Sequence, residues 1–385
     1  MKRKTKQQTN TKTDKQMRVS DIAQAINNIV PPELAQDWDN TGLLIGDNNK
    51  PVKNILLTID TTKQVLAEAV KLDTDLIVSY HPVIWDGLKK ITAQCPDSVV
   101  YELIRSNISV FSIHTALDAA VGGVNDALAE IVGIENAEPI GDYIQHLPDK
   151  YKLVVFVPQD SLKKVTNAVY KAGAGAIGNY SNCGFAGSGT GTFRPLSGSN
   201  PAIGEQGRLE KVAETRFETI VPAEKIRSVI AAMKQAHPYE EPAFDVIKLY
   251  NDNNRFGLGR IGRLNKPATV EQIVSRIKKI TGAKAVGFVG PRKKHVKTAA
   301  VCAGSCGKII NQVIAHKADL YLTGELKHHQ ALAAEQAKLT CLCLSHTVSE
   351  RFILKKFAEQ LKNKLKSVTI RISKKDADPF TWEKI

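Results

Sequence analysis

The chain has 385 residues, 43% of them hydrophobic, and a formal net charge of +14. That length supports two or three domains with real cores, and no apolar run approaches the ~20 residues that cross a bilayer. Residues 1–18 carry net +6 and residues 351–385 another +6, which leaves only +2 of the +14 for the 332 residues between them.

Charge gathered at the two ends, with no nucleic-acid motif beside it, reads as a solvated surface more readily than as an RNA or DNA footprint. An adaptor that binds nucleic acid through its basic ends stays as a third reading. Residues 1–17 are expected to form a disordered basic tail, with Met17 as a candidate start. Met1-Lys-Arg-Lys-Thr-Lys is followed by no apolar stretch, so it is not read as a secretory signal. The six cysteines form no CxxC pair. Reduced thiols and a cytoplasmic protein are the expectation.

Residues 18–140 alternate between helix and strand. Ser20 is expected to cap a helix through Ile29, which Pro31-Pro32 stops. Short buried strands are expected at Ile55–Ile59, Leu76–Val78 and Val110–Ile113, with helices at Lys63–Leu72, Ser98–Asn107 and Val124–Val132. This alternation predicts a mostly parallel sheet with helices on its faces.

From residue 151 the pattern changes. A strand at Lys152–Val157 precedes a helix at Ser161–Ala172 capped by Ser161, then a Gly/Ser-rich stretch from Gly184 to Gly207. A strand at Arg216–Ile220, a helix at Glu224–Ala236 and a strand at Ala243–Leu249 follow. The order β-α-β-β-α-β fits a ferredoxin-like module placed inside the parent domain, with Asn251–Asn254 as its exit linker. Alternation then resumes. Helices are expected at Glu271–Thr281, Ile309–Lys317, His329–Gln336 and Glu350–Lys364, and strands at Thr298–Ala303, Leu320–Thr323 and Cys341–Leu344.

Two distant segments share one pattern. His114-Thr-Ala-Leu-Asp118 and His346-Thr-Val-Ser-Glu350 each set an imidazole four residues before a carboxylate, just after a buried strand. A third strand delivers Tyr80-His81-Pro82. Imidazoles and carboxylates gathered at strand ends suit a divalent metal. A carboxylate bridging two ions would make a two-metal centre, which activates water and stabilises an oxyanion in hydrolysis. Taken singly, each of these residues reads more readily as structural; taken together at strand ends they favour the metal, and His114 also reads as a residue that orients a ligand. Thr323-Gly-Glu325-Leu-Lys-His328-His329 adds an acid and two imidazoles. Trp38–Asp47 reads as a turn or a site-lining loop, and Gly304-Ser-Cys-Gly307 as a tight turn or an anion-binding helix start. Gly187–Arg194 and His237-Pro-Tyr-Glu-Glu-Pro242 read as a bare loop, a mobile ligand loop, a lid or an oligomer contact.

Together Trp38–Asp47, Ser79–Pro82, His114–Asp126, Gly187–Arg194, His237–Pro242, Gly257–Gly262, Thr323–His329 and Ser345–Glu350 resemble the GTP cyclohydrolase type-two homologue family, also called Nif-three-like. They run in family order along nearly the whole chain after the tail. The resemblance implies a Nif-three-like three-layer α/β core formed by residues 18–148 and 253–385. It also implies that residues 149–252 form an inserted module similar to the PII and CutA folds. Carried over, the family's metal ligands fall on His81, Asp118, His346 and Glu350, with Tyr80 standing where many bacterial members have a second histidine. Tyr80 is then either a ligand through its oxygen or the mark of a weakened site. His114, Glu325 and His329 are left to orient ligands or transfer protons. The resemblance implies two divalent ions per subunit, zinc foremost and iron or manganese as alternatives, and a nucleotide-like small-molecule substrate. It further implies a ring-shaped homo-oligomer, expected to be a hexamer. The activity it implies is metal-dependent hydrolysis of a nucleotide or related heterocycle. The alternative is a non-catalytic metal-binding regulator or scaffold whose insert senses a small molecule.

Overall fold

A computed structural model describes residues 16–94, 98–141, 150–249, 256–292, 295–381 and 383. The expected tail up to residue 15, Cys95, the linker 251–254 and both expected boundaries of the insert lie outside the described residues. The described residues fall into two compact units, one from both ends of the chain and one from the segment 150–249.

The first unit contains two sheets. One has the order Gly42–Ile45, Ser109–Ser112, Leu76–Ser79, Asn54–Thr58, Thr369–Ile372. Its last four strands run parallel and Gly42–Ile45 is antiparallel. The other has the order Gly287–Val289, Thr340–Cys343, Leu320–Thr323, Val296–Cys302, Gly259–Ala268, Ile134–Ile140. Its middle three strands are parallel and the flanking ones antiparallel.

Side chains alternate across each strand, so each sheet has two apolar faces to cover. Ile55, Leu57, Leu76 and Val78 of the first sheet and Val301, Leu320, Leu322 and Leu342 of the second join one core. The apolar stripes of the helices Val19–Asn27, Val124–Val132, Val270–Thr281 and Ile353–Lys364 complete it. Leu56, Ile77 and Val110 face the other way, onto Lys63–Lys71 and Ser98–Arg105. Ala300, Cys302, Tyr321 and Cys341 likewise meet Ile310–Ala315 and His328–Gln336. The core therefore has two sheets with helices between and outside them, where three layers were expected. The second half of the chain builds its own buried parallel strands and so needs its own sheet.

Local chemistry sets the helix ends. Thr62 accepts a hydrogen bond from Val65 N at 3.3 Å and starts Lys63–Lys71. Thr269 and Gln272 form a reciprocal capping box before Val270–Thr281, and Gly282 ends that helix in the left-handed region. Ser20 is not a cap. The first helix begins at Val19, and Arg18 N donates to Asp21 at 2.8 Å. Ser161 caps nothing either: a short 3-10 turn, Gln159–Ser161, runs straight into Leu162–Lys171. The expected helix Glu350–Lys364 is two helices, Val348–Arg351 and Ile353–Lys364.

In the second unit the strands Lys150–Pro158, Gly184–Phe193, Glu210–Pro222 and Phe244–Lys248 form one antiparallel sheet. Numbered in sequence, their spatial order is 2-3-1-4. The helices Leu162–Lys171 and Ile226–Ala236 bury Val165, Val169, Val229 and Met233 against Leu153, Val155, Val157 and Phe217. Gly184–Phe193 is a strand and not the loop its glycines suggested. Its backbone pairs with Glu210–Pro222 over ten residues at the sheet edge, where small side chains do not prevent a ladder. His237 is buried, with Nε2 3.0 Å from Phe156 O, and Tyr239 N donates to its Nδ1 at 3.1 Å.

Candidate metal centre

Parallel strands point their carboxyl ends at one edge of a sheet, and the loops just beyond that edge are where ligand groups collect. In the first sheet Asn54–Thr58 leads to Asp60, Leu76–Ser79 to Tyr80 and His81, and Ser109–Ser112 to His114. In the second, Val296–Cys302 leads to Gly304, Leu320–Thr323 to Glu325 and Thr340–Cys343 to His346. Ladder-like bonds continue past the strands and fix these loops. His81 N donates to Ile59 O at 3.0 Å, His114 N to Tyr80 O at 2.9 Å and Ser345 N to Gly324 O at 3.0 Å.

Three of the sequence-predicted residues converge closely. His81, His346 and Glu350 offer donor atoms that all lie within 4.8 Å of one another. Glu350 is buried, with Oε1 3.3 Å from His346 Nε2 and Oε2 3.4 Å from His81 Nε2. Oε2 makes no well-formed hydrogen bond, and His81 stands off from it. Burial opposes a charge on Glu350, but His346 and His81 outweigh burial and hold its carboxyl down to about 2. Burial likewise opposes a charge on His81, yet Asp60 and Glu350 raise its imidazole to about 10. Glu350 is the main cause that raises His346 to about 9.

Every imidazole of the cluster is held through Nδ1. His81 Nδ1 is 2.8 Å from Asp60 Oδ1, His114 Nδ1 is 2.8 Å from Asp39 Oδ1, and His346 Nδ1 is 3.0 Å from Glu325 Oε1. Asp39 is held in turn: Thr115 N donates to its Oδ2 at 3.0 Å, and the Thr115 hydroxyl donates at 2.5 Å. A carboxylate on one ring nitrogen fixes the tautomer and leaves the other nitrogen free to ligate. The rings of His81 and His114 lie 5.2 Å apart, and those of His81 and His346 lie 5.4 Å apart.

Asp118 sits beside this group. Burial, and then the charge of Glu350, push its carboxyl up to about 7. The buried Tyr80 hydroxyl donates to Asp118 Oδ1. Burial, reinforced by Asp118 and Glu350, pushes the Tyr80 phenol well above its usual range, so the hydroxyl keeps its proton. Glu325 is exposed and reaches the cluster through His346. His329 is exposed on the first turn of His328–Gln336, and no hydrogen bond joins it to the cluster among the described residues.

The donor set fits a divalent cation. Imidazole nitrogens and carboxylate oxygens are its usual ligands, Glu350 has a buried oxygen to spare, and two carboxylates crowd one another beside it. Gly304, with φ +64°, lies directly against the group. A Cβ there would fall 2.6 Å from Glu350 Oε1 and 3.4 Å from His346 Nε2. The Gly304 turn thus makes room for a carboxylate, a use its short motif did not reveal.

The surroundings lock the cluster in place. Asn125 donates to Asp118 O at 3.2 Å and to Leu258 O at 2.6 Å, and accepts from Ala303 N at 2.8 Å. Arg260 is 2% exposed. It pairs with Asp126 and donates to Gly257 O at 2.7 Å and to Ala119 O at 3.3 Å. Ser345, at φ +78°, donates to Asp378 Oδ2 at 2.7 Å just before His346. Sequence reasoning missed Asp60 and gave Asp39 no partner. The signal for Asp60 was its place one residue beyond the buried run Ile55–Ile59, the same position relative to a strand that exposed the histidines.

The fold and this site define a mixed α/β protein that gathers histidines and carboxylates at the carboxyl ends of two sheets. The family model for Duf34/NIF3 (NGG1p interacting factor 3) matches residues 17–379, and the chain belongs to that family. A relative from Halalkalibacterium halodurans, named GTP cyclohydrolase 1 type 2 homolog, is 36% identical over 356 residues, covering 91% of this chain and 95% of its own length. The crystal structure of a Bacillus cereus protein related to NIF3 is 36% identical. It superposes with a TM-score of 0.84, covering 96% of this chain and 99% of that one. A Staphylococcus aureus protein of known structure, 27% identical, superposes with a TM-score of 0.76 over 96% of this chain and 99% of its own. No helix among the described residues is long and apolar enough to cross a membrane.

Proposed function

We propose that this chain is a metal-dependent hydrolase that acts on a nucleotide or related small heterocycle through two divalent ions. The observation that carries the reading is the shared architecture of the three imidazoles. Each of His81, His114 and His346 has a carboxylate on Nδ1, and Glu350 keeps a buried oxygen without a well-formed hydrogen bond beside two of them. Structural histidines rarely need that arrangement; ligating ones do. In this reading His81, His346 and Glu350 would hold one ion, and Asp118 and His114 would hold the second. Tyr80 aims Asp118, and Asp60, Asp39 and Glu325 fix the ring orientations. Zinc is the first expectation, with iron and manganese as alternatives.

When bound, the ions supply Lewis acidity and an activated water. The chain's own residues hold the Glu350 carboxylate ionised, orient the imidazoles and exclude bulk water from Glu350. His329, exposed and outside this network, is not needed for the proposed chemistry. The test is hydrolysis of GTP and related heterocyclic nucleotides before and after chelation. Activity that is lost on stripping and restored by zinc, iron or manganese supports the reading; activity that survives chelation sinks it.

The relative named GTP cyclohydrolase 1 type 2 homolog directs the choice of first substrate. For the inserted unit we read a ferredoxin-like module of the PII and CutA kind. The strand order 2-3-1-4 with both helices packed on one face supports it. A hexameric ring in the cytoplasm completes the proposal, and light scattering would test the ring.

A further inference from the structure

Two large aromatic side chains lie in water beside the buried cluster. Trp38 is 65% exposed and Trp85 is 53% exposed. Their indole rings both rest on His114: the Trp38 centroid is 5.8 Å away and the Trp85 centroid 5.2 Å, each steeply inclined to the imidazole at 75° and 86°. Trp85 also lies 6.0 Å from His81. The two indoles are therefore within about 11 Å of one another, the sum of the two distances to His114.

Leaving that much apolar surface in water forgoes roughly 25 cal/mol per Å² that burial would contribute, and neighbouring exposed apolar groups mark binding sites. The loops that carry these two are tied down. Gln36 N donates to the Thr115 hydroxyl at 2.9 Å, and Asp39 is fixed to His114 and Thr115, so Trp38 is anchored on both sides. Asn40 Nδ2 donates to Ile84 O at 2.7 Å, which ties the Trp38 loop directly to the Trp85 loop. The cluster beneath them sets the acids Asp39, Asp60, Asp118, Glu325 and Glu350 among the imidazoles of His81, His114 and His346, and none of these offers a flat apolar face of the size of an indole. An aromatic pair has affinity for a ring.

We propose that Trp38 and Trp85 form the recognition site for the substrate's planar nitrogen heterocycle, seating it over the His81–His114 side of the cluster. The inference rests on the reading of that cluster as a centre acting on such a compound. Stacking on indole accepts any flat heterocycle, so ring shape is the feature this pair selects.

The chain has three tryptophans, and Trp382→Phe leaves the proposed pair as the only indole reporters. In that background, guanosine 5′-monophosphate, guanosine and ribose 5-phosphate would be titrated into metal-free and metal-loaded protein while indole fluorescence is followed. Metal content would be measured on each sample. The expected result is quenching by both base-containing compounds in both states and none by ribose 5-phosphate. Trp38→Ala and Trp85→Ala, assayed by equilibrium dialysis, should each weaken binding by roughly ten-fold or more, and Trp85→Phe should retain most of it. Binding of ribose 5-phosphate to the metal-free protein as tight as that of the nucleotide would overturn the proposal, as would unchanged affinity in both alanine variants or no base-dependent quenching. If the alanine variants change the mass of the assembly but not base binding, the pair is an interface between copies and the proposal falls. Base-dependent quenching in protein that binds no metal would sink the metal reading alone.

Discussion

His114 places Nδ1 2.8 Å from Asp39 Oδ1, and the two residues lie 75 positions apart on different loops of the same sheet edge. Asp39 spends its other oxygen on Thr115, so the carboxylate can neither rotate nor leave. Replacing Asp39 by Asn keeps the size but removes the charge. The expected outcome is a loss of about 10–100-fold in metal affinity with the fold intact, read by competition with a chelating dye. Unchanged affinity would show that the ring needs no orienting acid.

Glu325 plays the same part for His346 from an exposed position. Water screens and replaces such a contact more easily than a buried one. Glu325→Gln should therefore weaken metal binding less than Asp39→Asn does, measured in the same assay. An effect as large as that of Asp39→Asn would mean that Glu325 touches the ion or the substrate itself.

The metal-free cluster carries protons that an ion must displace. His81 stands at about 10 and His346 at about 9, so both imidazoles are protonated at pH 7. A metal ligates only the neutral ring, and binding at pH 7 should release about two protons per chain from this pair. Metal affinity should rise as the pH rises from 6 toward 9. Zinc titration in weak buffer with an indicator dye checks both. The sign for stability is opposite. Folded values above the unfolded 6.5 mean that these ion pairs stabilise the metal-free chain fully below that pH. The stabilisation is lost as the pH climbs through 9 to 10.

Arg260 is buried against Asp126 and the carbonyls of Gly257 and Ala119. It joins a strand from the second half of the chain to the end of the helix that carries Asp118. Arg260→Ala strands the Asp126 charge and several buried carbonyls. The expected loss is about 3–5 kcal/mol, seen as a lower denaturant midpoint. A change under about 1 kcal/mol would show that water reaches the site freely.

Much of this arrangement was legible in the sequence. The buried strands of the two parallel sets are short apolar runs, and the imidazoles and acids that follow them stand at recognisable distances. His81, His346 and Glu350 come together as their positions at strand ends implied. Two of the edge strands were not legible. Gly42–Ile45 is only four residues long and directly follows the turn residues Asp39-Asn40-Thr41, and Gly184–Phe193 is rich in glycine; only the partner strand supplies their register. Asp39 and Asp60 were hidden for a different reason. An orienting acid has no spacing rule relative to its histidine, because the two meet through the fold alone. Trp85 was hidden too, since an exposed tryptophan and a core one look the same in sequence.

The most direct test is metal content by plasma mass spectrometry on protein purified without added metal, with His346→Ala and Glu350→Ala beside it. The expected result is about two ions per chain in the unmodified protein and a clear loss in both variants. An unmodified protein without metal, or variants that retain the full complement, would contradict it.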